Sequence, residues 1–192
     1  MEDICIRDLS KSFGDKVVFD NLNLTIRGGM TTCIMAPSGA GKTTLLRILM
    51  GLETADAGSV TGLEGKRFSA VFQEERLCEN MTAADNIRLV MPSSVSMSAV
   101  LAEMDRIGLC GCAAQPVCEL SGGMRRRVSI LRALLAEYDV LFLDEPFKGL
   151  DEALKGHVMT YVKEKTAGKT VVFVTHDKAE AAALADETTA LE

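Results

Sequence analysis

One segment of the chain combines small residues, a lysine and a hydroxyl in a spacing suited to binding phosphate groups. The segment is Ala36-Pro37-Ser38-Gly39-Ala40-Gly41-Lys42-Thr43, which lies between an apolar, strand-like run and a helix-like run that begins at Thr43. Small residues let consecutive main-chain N–H groups turn toward phosphate oxygens, and the helix N-terminus adds a partial positive charge. The Lys42 ammonium would then reach the β- and γ-phosphates of a nucleotide, and the Thr43 hydroxyl would bind Mg²⁺. The segment therefore predicts a nucleoside triphosphate site.

Acidic and imidazole side chains stand at the ends of two further apolar runs. Asp144 and Glu145 follow Val140–Leu143, and His176 ends a second run of the same kind. Ligands of open α/β sheets bind at the carboxyl ends of the strands, so we expect these groups at the same edge as the phosphate-binding segment. Asp144 is suited to hold Mg²⁺, Glu145 to polarise an attacking water as a general base, and His176 to contact the γ-phosphate.

A glycine pair precedes another helix-like run further along the chain. Ser121-Gly122-Gly123 comes after Leu120, and apolar residues then recur at helical spacing up to Leu135. The N–H groups at the start of such a helix bind anions, so this segment is a second candidate phosphate site. The chain already has one predicted phosphate-binding loop, the cradle formed by residues 36–43. A second phosphate site is useful if it binds the nucleotide held by a partner chain.

The elements that must position these groups are the strands and helices of an α/β fold. Apolar residues alternate with polar ones between Ile4 and Ile26, which favours antiparallel strands joined by a turn at Gly14-Asp15. The later apolar runs are continuous and are interleaved with helices, which is typical of a parallel sheet covered on both faces. Glycines at 58, 62 and 65 bracket a predicted short pair of strands, and residues 82–113 are predicted to be mostly helical, with interruptions at Pro92 and nearby serines.

Composition and charge exclude several classes of protein. Of the 192 residues, 47% are hydrophobic and 25% are charged, values close to those of an ordinary globular protein. No run approaches the ~20 apolar residues that span a bilayer, and the net charge of −6 disfavours nucleic acid as a partner. The six cysteines lack C-x-x-C spacing, so we expect free thiols in a reducing compartment rather than a zinc site.

Together, the motifs and their order resemble those of the nucleotide-binding subunit of ABC (ATP-binding cassette) transporters. The resemblance covers nearly the whole chain, and the decisive feature is Leu120-Ser121-Gly122-Gly123-Met124 between the cradle and the acids. It implies an α/β P-loop NTPase fold of the ABC type, as a single domain over residues 1–192. A RecA-like parallel-sheet core and an antiparallel β part would occupy about 1–80 and 135–192, and a helical subdomain carrying the signature about 81–134.

The resemblance also implies roles for individual residues. Phe13 matches an aromatic that stacks on adenine, Gln73 a glutamine that senses Mg²⁺ and the attacking water, and Asp151 a loop that crosses a dimer interface. The implied catalytic residues are Glu145, His176, Gln73 and Lys42. The implied cofactors are ATP and Mg²⁺. Their implied ligands are Phe13, Ser38, Gly39, Ala40, Gly41, Lys42, Thr43, Thr44, Ser121, Gly122, Gly123 and Asp151 for the nucleotide, and Thr43, Gln73 and Asp144 for the metal.

A few positions depart from the family's usual pattern. Met124 replaces the glutamine that commonly ends the signature, and Phe147-Lys148 stands where small or polar residues are usual. Phe13 replaces a more frequent tyrosine and keeps the ring face. None of these changes removes a catalytic group, so we expect a site that is competent for hydrolysis.

In this family two subunits pack head to tail around two ATP molecules, and most single-cassette chains serve membrane transporters. The resemblance therefore implies an ATP-hydrolysing subunit that powers an ABC transporter by ATP-driven dimer closure. The sequence is most like the bacterial importers of nitrate, sulfonate and taurine. The implied partners are a second ATPase subunit, identical or different, membrane permease subunits and a solute-binding protein, with no nucleic acid. The implied location is the cytoplasmic face of the cell membrane, held there by the permease.

Several alternatives remain open at this point. A translation-associated ABC ATPase usually carries two cassettes in one chain, a DNA-repair ATPase has a long coiled coil between its halves, and a nucleotide-dependent regulator would lack Glu145 or His176. Leu77 and Met81 belong either to a groove that receives a permease helix or to the core of the helical part. The run Arg125-Arg126-Arg127 could bind nucleic acid, but neighbouring acids or phosphates are the favoured partners.

Overall fold

The computed structural model describes residues 1–191 of the chain. The last residue of the predicted domain, Glu192, lies outside the described residues. The strands are β1 (Ile4–Phe13), β2 (Lys16–Ile26), β3 (Thr31–Met35), β4 (Ala57–Thr61), β5 (Phe68–Val71), β6 (Val140–Asp144), β7 (Thr170–Thr175) and β8 (Glu187–Ala190). The α-helices are α1 (Lys42–Leu49), α2 (Ala83–Arg88), α3 (Met97–Arg106), α4 (Gly122–Leu135), α5 (Glu152–Thr166) and α6 (Lys178–Leu184).

The chain divides into two compact units. The first contains residues 1–68, 139–144 and the segment from Gly168 onward, and the second contains residues 69–138 and 145–167. The first unit holds the antiparallel sheet, strands β3, β6, β7 and β8 and helices α1 and α6, and the second holds most of β5 and helices α2 to α5. One boundary between the units falls between Asp144 and Glu145, the two acids that end the β6 run.

The first unit contains an antiparallel and a parallel sheet. The antiparallel sheet has the order β2-β1-β4. The strands of the second sheet that belong to this unit have the order β6-β7-β3-β8 and run parallel to their neighbours. Helix α1 packs on β6 and β7, and α6 packs on β3 and β7. The predicted α/β class, with an antiparallel part and a parallel core, is confirmed.

The continuous apolar strands form the centre of this unit. Ile34 in β3, Phe142 in β6 and Phe173 in β7 are each fully buried. Because α1 and α6 cover the sheet, these strands have no polar face, which explains why their sequences lack the alternation seen in β1 and β2.

The predicted pair of strands between Gly58 and Gly65 is wrong. Only one strand, β4, forms there, and it pairs with β1 through Val60 opposite Ile6 and Thr61 opposite Cys5. The chain then leaves the sheet at Gly62, whose φ is +88°. A short apolar stretch bracketed by glycines does not reveal whether its partner is the next segment or a distant one, and here the partner lies some fifty residues earlier.

The second unit is built from helices around an apolar centre. The predicted helical region 82–113 contains α2 and α3, which are separated by a turn that begins near Pro92, and Ser96 caps the start of α3. Helices α2, α3 and α5 all contact α4, whose Val128, Ile130 and Leu131 are fully buried. Helix α4 is thus the central element of this unit.

Across the described part of the chain, no helix is both long enough and apolar enough to cross a bilayer.

The six cysteines are free thiols, and burial raises the pKa of Cys33 to about 12. A thiol with so high a pKa stays protonated at neutral pH.

Candidate functional site

The phosphate-binding segment forms a loop between β3 and α1 in the first unit. Gly39 and Gly41 have φ values of +85° and +88°, a left-handed conformation that residues with a Cβ disfavour. A Cβ on Gly41 would also lie 2.5 Å from Val18 Cγ1 and 2.7 Å from Phe19 Cζ. The loop therefore presents main chain rather than side chains at the start of α1, as a phosphate cradle requires.

Lys42 lies within this loop and is only 6% exposed. Its Nζ donates hydrogen bonds to the carbonyl oxygens of Ala36, at 2.7 Å, and Pro37, at 3.0 Å. A charge-assisted bond to a phosphate is stronger than one to a neutral carbonyl, so an entering phosphate can displace these contacts. The other predicted cradle residues are exposed or half-buried: Ser38, Gly39, Ala40, Gly41, Thr43 and Thr44.

Thr43 and Asp144, two of the predicted metal ligands, lie in contact. Thr43 Oγ1 donates to Asp144 Oδ2 over 2.7 Å, although the two residues lie far apart in the sequence. Asp144 is 2% exposed, so its carboxylate is largely withdrawn from water. A hydroxyl and a carboxylate are the oxygen ligands that Mg²⁺ prefers. The residues present here fit that ion.

The register of the parallel sheet brings the phosphate loop and two of the predicted residues to one edge. Met35 of β3 lies opposite Thr175 of β7, and Asp144 of β6 lies opposite Val174. Because these strands are parallel and end at nearly the same level, the phosphate loop, Asp144 and His176 all leave the sheet at the same edge. This is the arrangement expected of a ligand site in an open α/β sheet.

His176 is exposed, and its neighbours hold the turn in which it lies. Thr175 Oγ1 donates to Glu180 Oε2 at 2.6 Å and accepts a hydrogen bond from the Asp177 main-chain N–H at 3.1 Å. Asp177 caps α6 through the N–H of Ala179. Sequence reasoning missed Thr175 and Glu180. The available signal was the Asp177-x-x-Glu180 spacing at the start of a helix, which is typical of a capping box.

Phe13 ends β1 and is 47% exposed. The Lys11 ammonium lies 4.7 Å from the centre of its ring. Lys11 is in turn held by Glu53, at 2.9 Å, and by the carbonyl oxygen of Thr54, at 2.8 Å. The hydrogen bond to Glu53 is the main cause that raises the pKa of Lys11. The structure thus presents a partly exposed aromatic ring, which the predicted stacking on adenine requires.

The second predicted anion site lies at the start of α4 in the second unit. Ser121 is the N-cap and accepts a hydrogen bond from the Met124 main-chain N–H at 3.2 Å. Ser121 and Gly122 are exposed, and a Cβ on Gly122 would meet no atom within 4 Å. The N-terminus of this 14-residue helix is therefore open and carries a partial positive charge without a large side chain over it.

Glu145 has an unusual main-chain conformation. Its φ is +45°, in the left-handed region that few non-glycine residues adopt, and it is only 6% exposed. Lys148 Nζ lies 3.7 Å from Glu145 Oε2, but the Lys148 side chain is 69% exposed. The Lys148 end of this pair therefore lies largely in water, while the Glu145 side chain is only 8% exposed. Phe147, which together with Lys148 departs from the family's usual pattern, is buried.

Two members of the arginine run bind main-chain carbonyl oxygens. Arg126 and Arg127 are buried, and their guanidinium groups donate to main-chain carbonyl oxygens. Arg127 binds the carbonyl oxygens of Ile107 and Gly108, and burial is the main cause that lowers its pKa. A run of three basic residues looks like a surface patch in the sequence. Two of its members instead point into the protein because α4 is buried on most sides.

Asp151 is exposed and begins α5. Its Oδ1 accepts a hydrogen bond from the Leu154 main-chain N–H at 2.9 Å, and the preceding turn uses Gly149 with a φ of +83°. Within one chain this residue is therefore a helix cap. Its predicted role at a dimer interface stays a prediction.

The predicted site residues are divided between the two units. The first unit holds Phe13, the loop residues 36–44, Asp144 and His176. The second unit holds Gln73, Ser121, Gly122, Gly123, Glu145 and Asp151. The exposed members of the second group are Gln73, Ser121, Gly122 and Asp151.

Comparisons with known proteins agree on one family. The family model described as ABC transporter matches residues 19–148. The aliphatic sulfonates import ATP-binding protein SsuB 1 of Nocardia farcinica is 41% identical, over 98% of this chain and 78% of that protein. The intermembrane phospholipid transport system ATP-binding protein MlaF of Escherichia coli is 35% identical, over 94% of this chain and 76% of that protein.

Solved structures give the same result for the fold. The dimeric structure of MJ0796, a bacterial ABC transporter cassette, has a TM-score of 0.85 and 28% identity, and the match covers 98% of this chain and 94% of the other. A dimeric post-hydrolysis state of the same cassette, bound to ADP and Pi, has a TM-score of 0.84 and 27% identity with the same coverage.

Proposed function

We propose that this chain, which belongs to the ABC transporter family, powers a bacterial small-molecule importer by closing as a dimer around ATP. The family match confirms the resemblance to ABC transporter subunits. The similarity to a sulfonate importer subunit confirms the predicted likeness to importers of that kind. As a member of the family the chain is an ATPase that binds ATP with Mg²⁺. The proposal adds the dimer, the permease partners and the coupling of hydrolysis to transport.

The proposed roles combine the position of each group with the role that the family resemblance implies for it. Lys42 binds the β- and γ-phosphates, and Thr43 and Asp144 hold the metal. Glu145 accepts a proton from the attacking water, which Gln73 helps to orient, and His176 contacts the γ-phosphate. When bound, Mg²⁺ neutralises the negative charge that develops on the phosphate oxygens.

The observation that carries the dimer is the presence of two open helix N-termini suited to phosphate in one chain. The loop before α1 already supplies main-chain N–H groups and a lysine for one triphosphate. The start of α4 supplies a second anion site with no large side chain over it. One nucleotide needs one cradle, so we infer that Ser121, Gly122 and Gly123 bind the γ-phosphate held by the opposite chain. ATP then links two chains, and hydrolysis releases them.

Mixing two inactive variants tests this arrangement. Lys42→Ala removes the cradle charge, and Gly122→Asp places a carboxylate at the α4 site, where it repels phosphate without a steric clash. Neither variant alone should hydrolyse ATP. Mixed dimers have one intact composite site, so an equimolar mixture should regain up to about a quarter of the unmodified rate, measured as phosphate release.

Gly156→Asp is the matched control, because Gly156 is exposed in α5 and a Cβ there also meets no atom within 4 Å. This variant should hydrolyse ATP normally. A mixture as inactive as its two components, with both variants folded and able to form mixed dimers, would contradict the shared site.

A depression in the second unit supports a permease partner. Its lining residues are Glu74, Glu75, Arg76, Leu77, Glu79, Val117 and Arg125. Leu77 is half-buried there, so it belongs to the wall of this depression, and charged groups surround it. We propose that a short helix of a permease docks in this depression at the cytoplasmic face of the membrane. The named functions of SsuB 1 and MlaF in import and transport support this assignment.

Purification of the tagged full-length chain from detergent-solubilised membranes tests the transport role. A multi-span permease should co-purify in stoichiometric amount, and Leu77→Arg should abolish this because a charge then occupies the apolar part of the depression. Leu52→Arg is the matched control, since Leu52 is 53% exposed and lies in the first unit. Recovery of ribosomes or DNA instead of a permease would favour the translation-associated or repair-associated alternatives.

A further inference from the structure

Arg126 donates to four main-chain carbonyls near the predicted catalytic residues of the second unit. It lies in the first turns of α4, is 3% exposed, and donates to main-chain carbonyl oxygens in two separate segments. Nη1 binds Phe72 O at 2.5 Å and Gln73 O at 3.3 Å. Nε binds Pro146 O at 2.8 Å, and Nη2 binds Glu145 O at 2.5 Å.

These contacts use the particular shape of the guanidinium group. Its N–H groups form a rigid planar fork, so a single side chain can bind carbonyls on two segments at once and fix their separation. The segments are the one that presents Gln73 and the one that presents Glu145. A lysine has donors at only one point and cannot reproduce this geometry.

The conformation of Glu145 makes such a contact necessary. A non-glycine residue at a φ of +45° persists only when its surroundings hold it there. The Arg126 bond to the Glu145 carbonyl, together with the adjacent bond to Pro146, fixes the peptide groups on which the Glu145 side chain depends.

We propose that Arg126 is a positioning residue for ATP hydrolysis, which holds the main chain of Glu145 and Gln73 in the geometry that activates the attacking water. This inference rests on the proposed function of those two residues. Arg126 itself does not contact substrate. Arg126 also lies one helical turn from Gly122 in α4. A phosphate that binds at the start of α4 therefore contacts the same helix that carries the Arg126 hydrogen bonds.

Steady-state kinetics of Arg126→Gln, Arg126→Lys and Arg127→Gln test the proposal. Arg126→Gln should lower kcat by about 10- to 100-fold, because misplacement of a catalytic group by about 1 Å has effects of this size. Its ATP affinity should stay within about twofold of the unmodified value, since Lys42 supplies that binding. Arg126→Lys should recover part of kcat, because an ammonium reaches some of the carbonyls.

Arg127→Gln is the matched control for loss of a buried arginine. Arg127 is the next residue of the same helix. Apart from a bond to the Gly123 carbonyl within α4, it binds the carbonyls of Ile107 and Gly108, at the end of α3 and in the following turn. We expect a lower melting temperature with kcat within about twofold of the unmodified value. An equal loss of kcat in both arginine variants would reduce Arg126 to a structural residue and overturn the proposal, as would an unchanged kcat in Arg126→Gln.

A double variant separates this proposal from the proposed function. If Arg126 acts through Glu145, then Arg126→Gln combined with Glu145→Gln should be far less than additive in its effect on kcat. If Glu145→Gln alone leaves hydrolysis unchanged, the assignment of the general base fails. If Glu145→Gln stops hydrolysis while Arg126→Gln and the unmodified chain have the same kcat, only the positioning role fails.

Discussion

Replacing Glu145 with glutamine should lower ATP hydrolysis by about 10²- to 10⁴-fold while ATP binding is retained. A carboxamide has the size of the carboxylate but cannot accept a proton from the attacking water, and removing a general base has an effect of this magnitude. The main chain should not change, because the bond from Arg126 ends on the Glu145 carbonyl and not on its side chain. Phosphate release by the purified chain with Mg²⁺ and ATP measures the loss.

The same variant should accumulate as a dimer when ATP is present. If ATP links two chains and its hydrolysis separates them, a chain that binds ATP without cleaving it stays closed. Light scattering after size-exclusion chromatography, with and without ATP, gives the mass of the complex. The matched control is Glu152→Gln, which makes the same chemical change at a side chain that is 92% exposed. Hydrolysis at the unmodified rate in Glu145→Gln would place the general base elsewhere.

Replacing Lys42 with alanine should weaken ATP binding by at least about 100-fold. Lys42 is 6% exposed and its ammonium lies among the carbonyls of the phosphate loop, where its attraction to a triphosphate is poorly screened by water. A charge-assisted contact of this kind cannot be replaced by the remaining N–H groups alone. Isothermal titration with ATP and Mg²⁺ measures the change in dissociation constant.

Two further measurements make this result interpretable. Lys163→Ala removes an exposed lysine of α5 and should leave ATP affinity unchanged. A thermal unfolding curve of Lys42→Ala without nucleotide shows whether the loop still folds once the bonds to Ala36 and Pro37 are lost. A folded Lys42→Ala chain with unmodified affinity would mean that ATP binds at another site.

Local features were predictable wherever a short segment sets its own structure. The phosphate loop needs glycines at positive φ followed by a helix, and both requirements are visible in residues 36–43. The start of α4 was equally clear, since Ser121 as N-cap and the apolar spacing after it act within a few residues. The continuous apolar strands indicated a covered parallel sheet for the same reason.

Contacts between distant segments were not predictable. The glycines at 58 and 62 indicate turns, but nothing in that stretch identifies β1 as the partner of β4. Glu180 followed a capping pattern and instead binds Thr175, because it is buried against the end of β7. Arg126 was expected to face acids or phosphates. Its carbonyl partners at Phe72 and Gln73 lie more than fifty residues away in the chain.

The sequence by itself determined the family of this protein, an ABC-family ATPase, and predicted a phosphate cradle, a metal-binding aspartate and a general base in a readable order. Those groups are set by residue type and short spacing, which follow from local main-chain geometry. Only the tertiary structure decided that Thr43 meets Asp144 and that Arg126 binds the main chain of Glu145. Such contacts depend on how helices and strands pack, and packing energy depends on shape and burial summed over the whole fold rather than on any short segment.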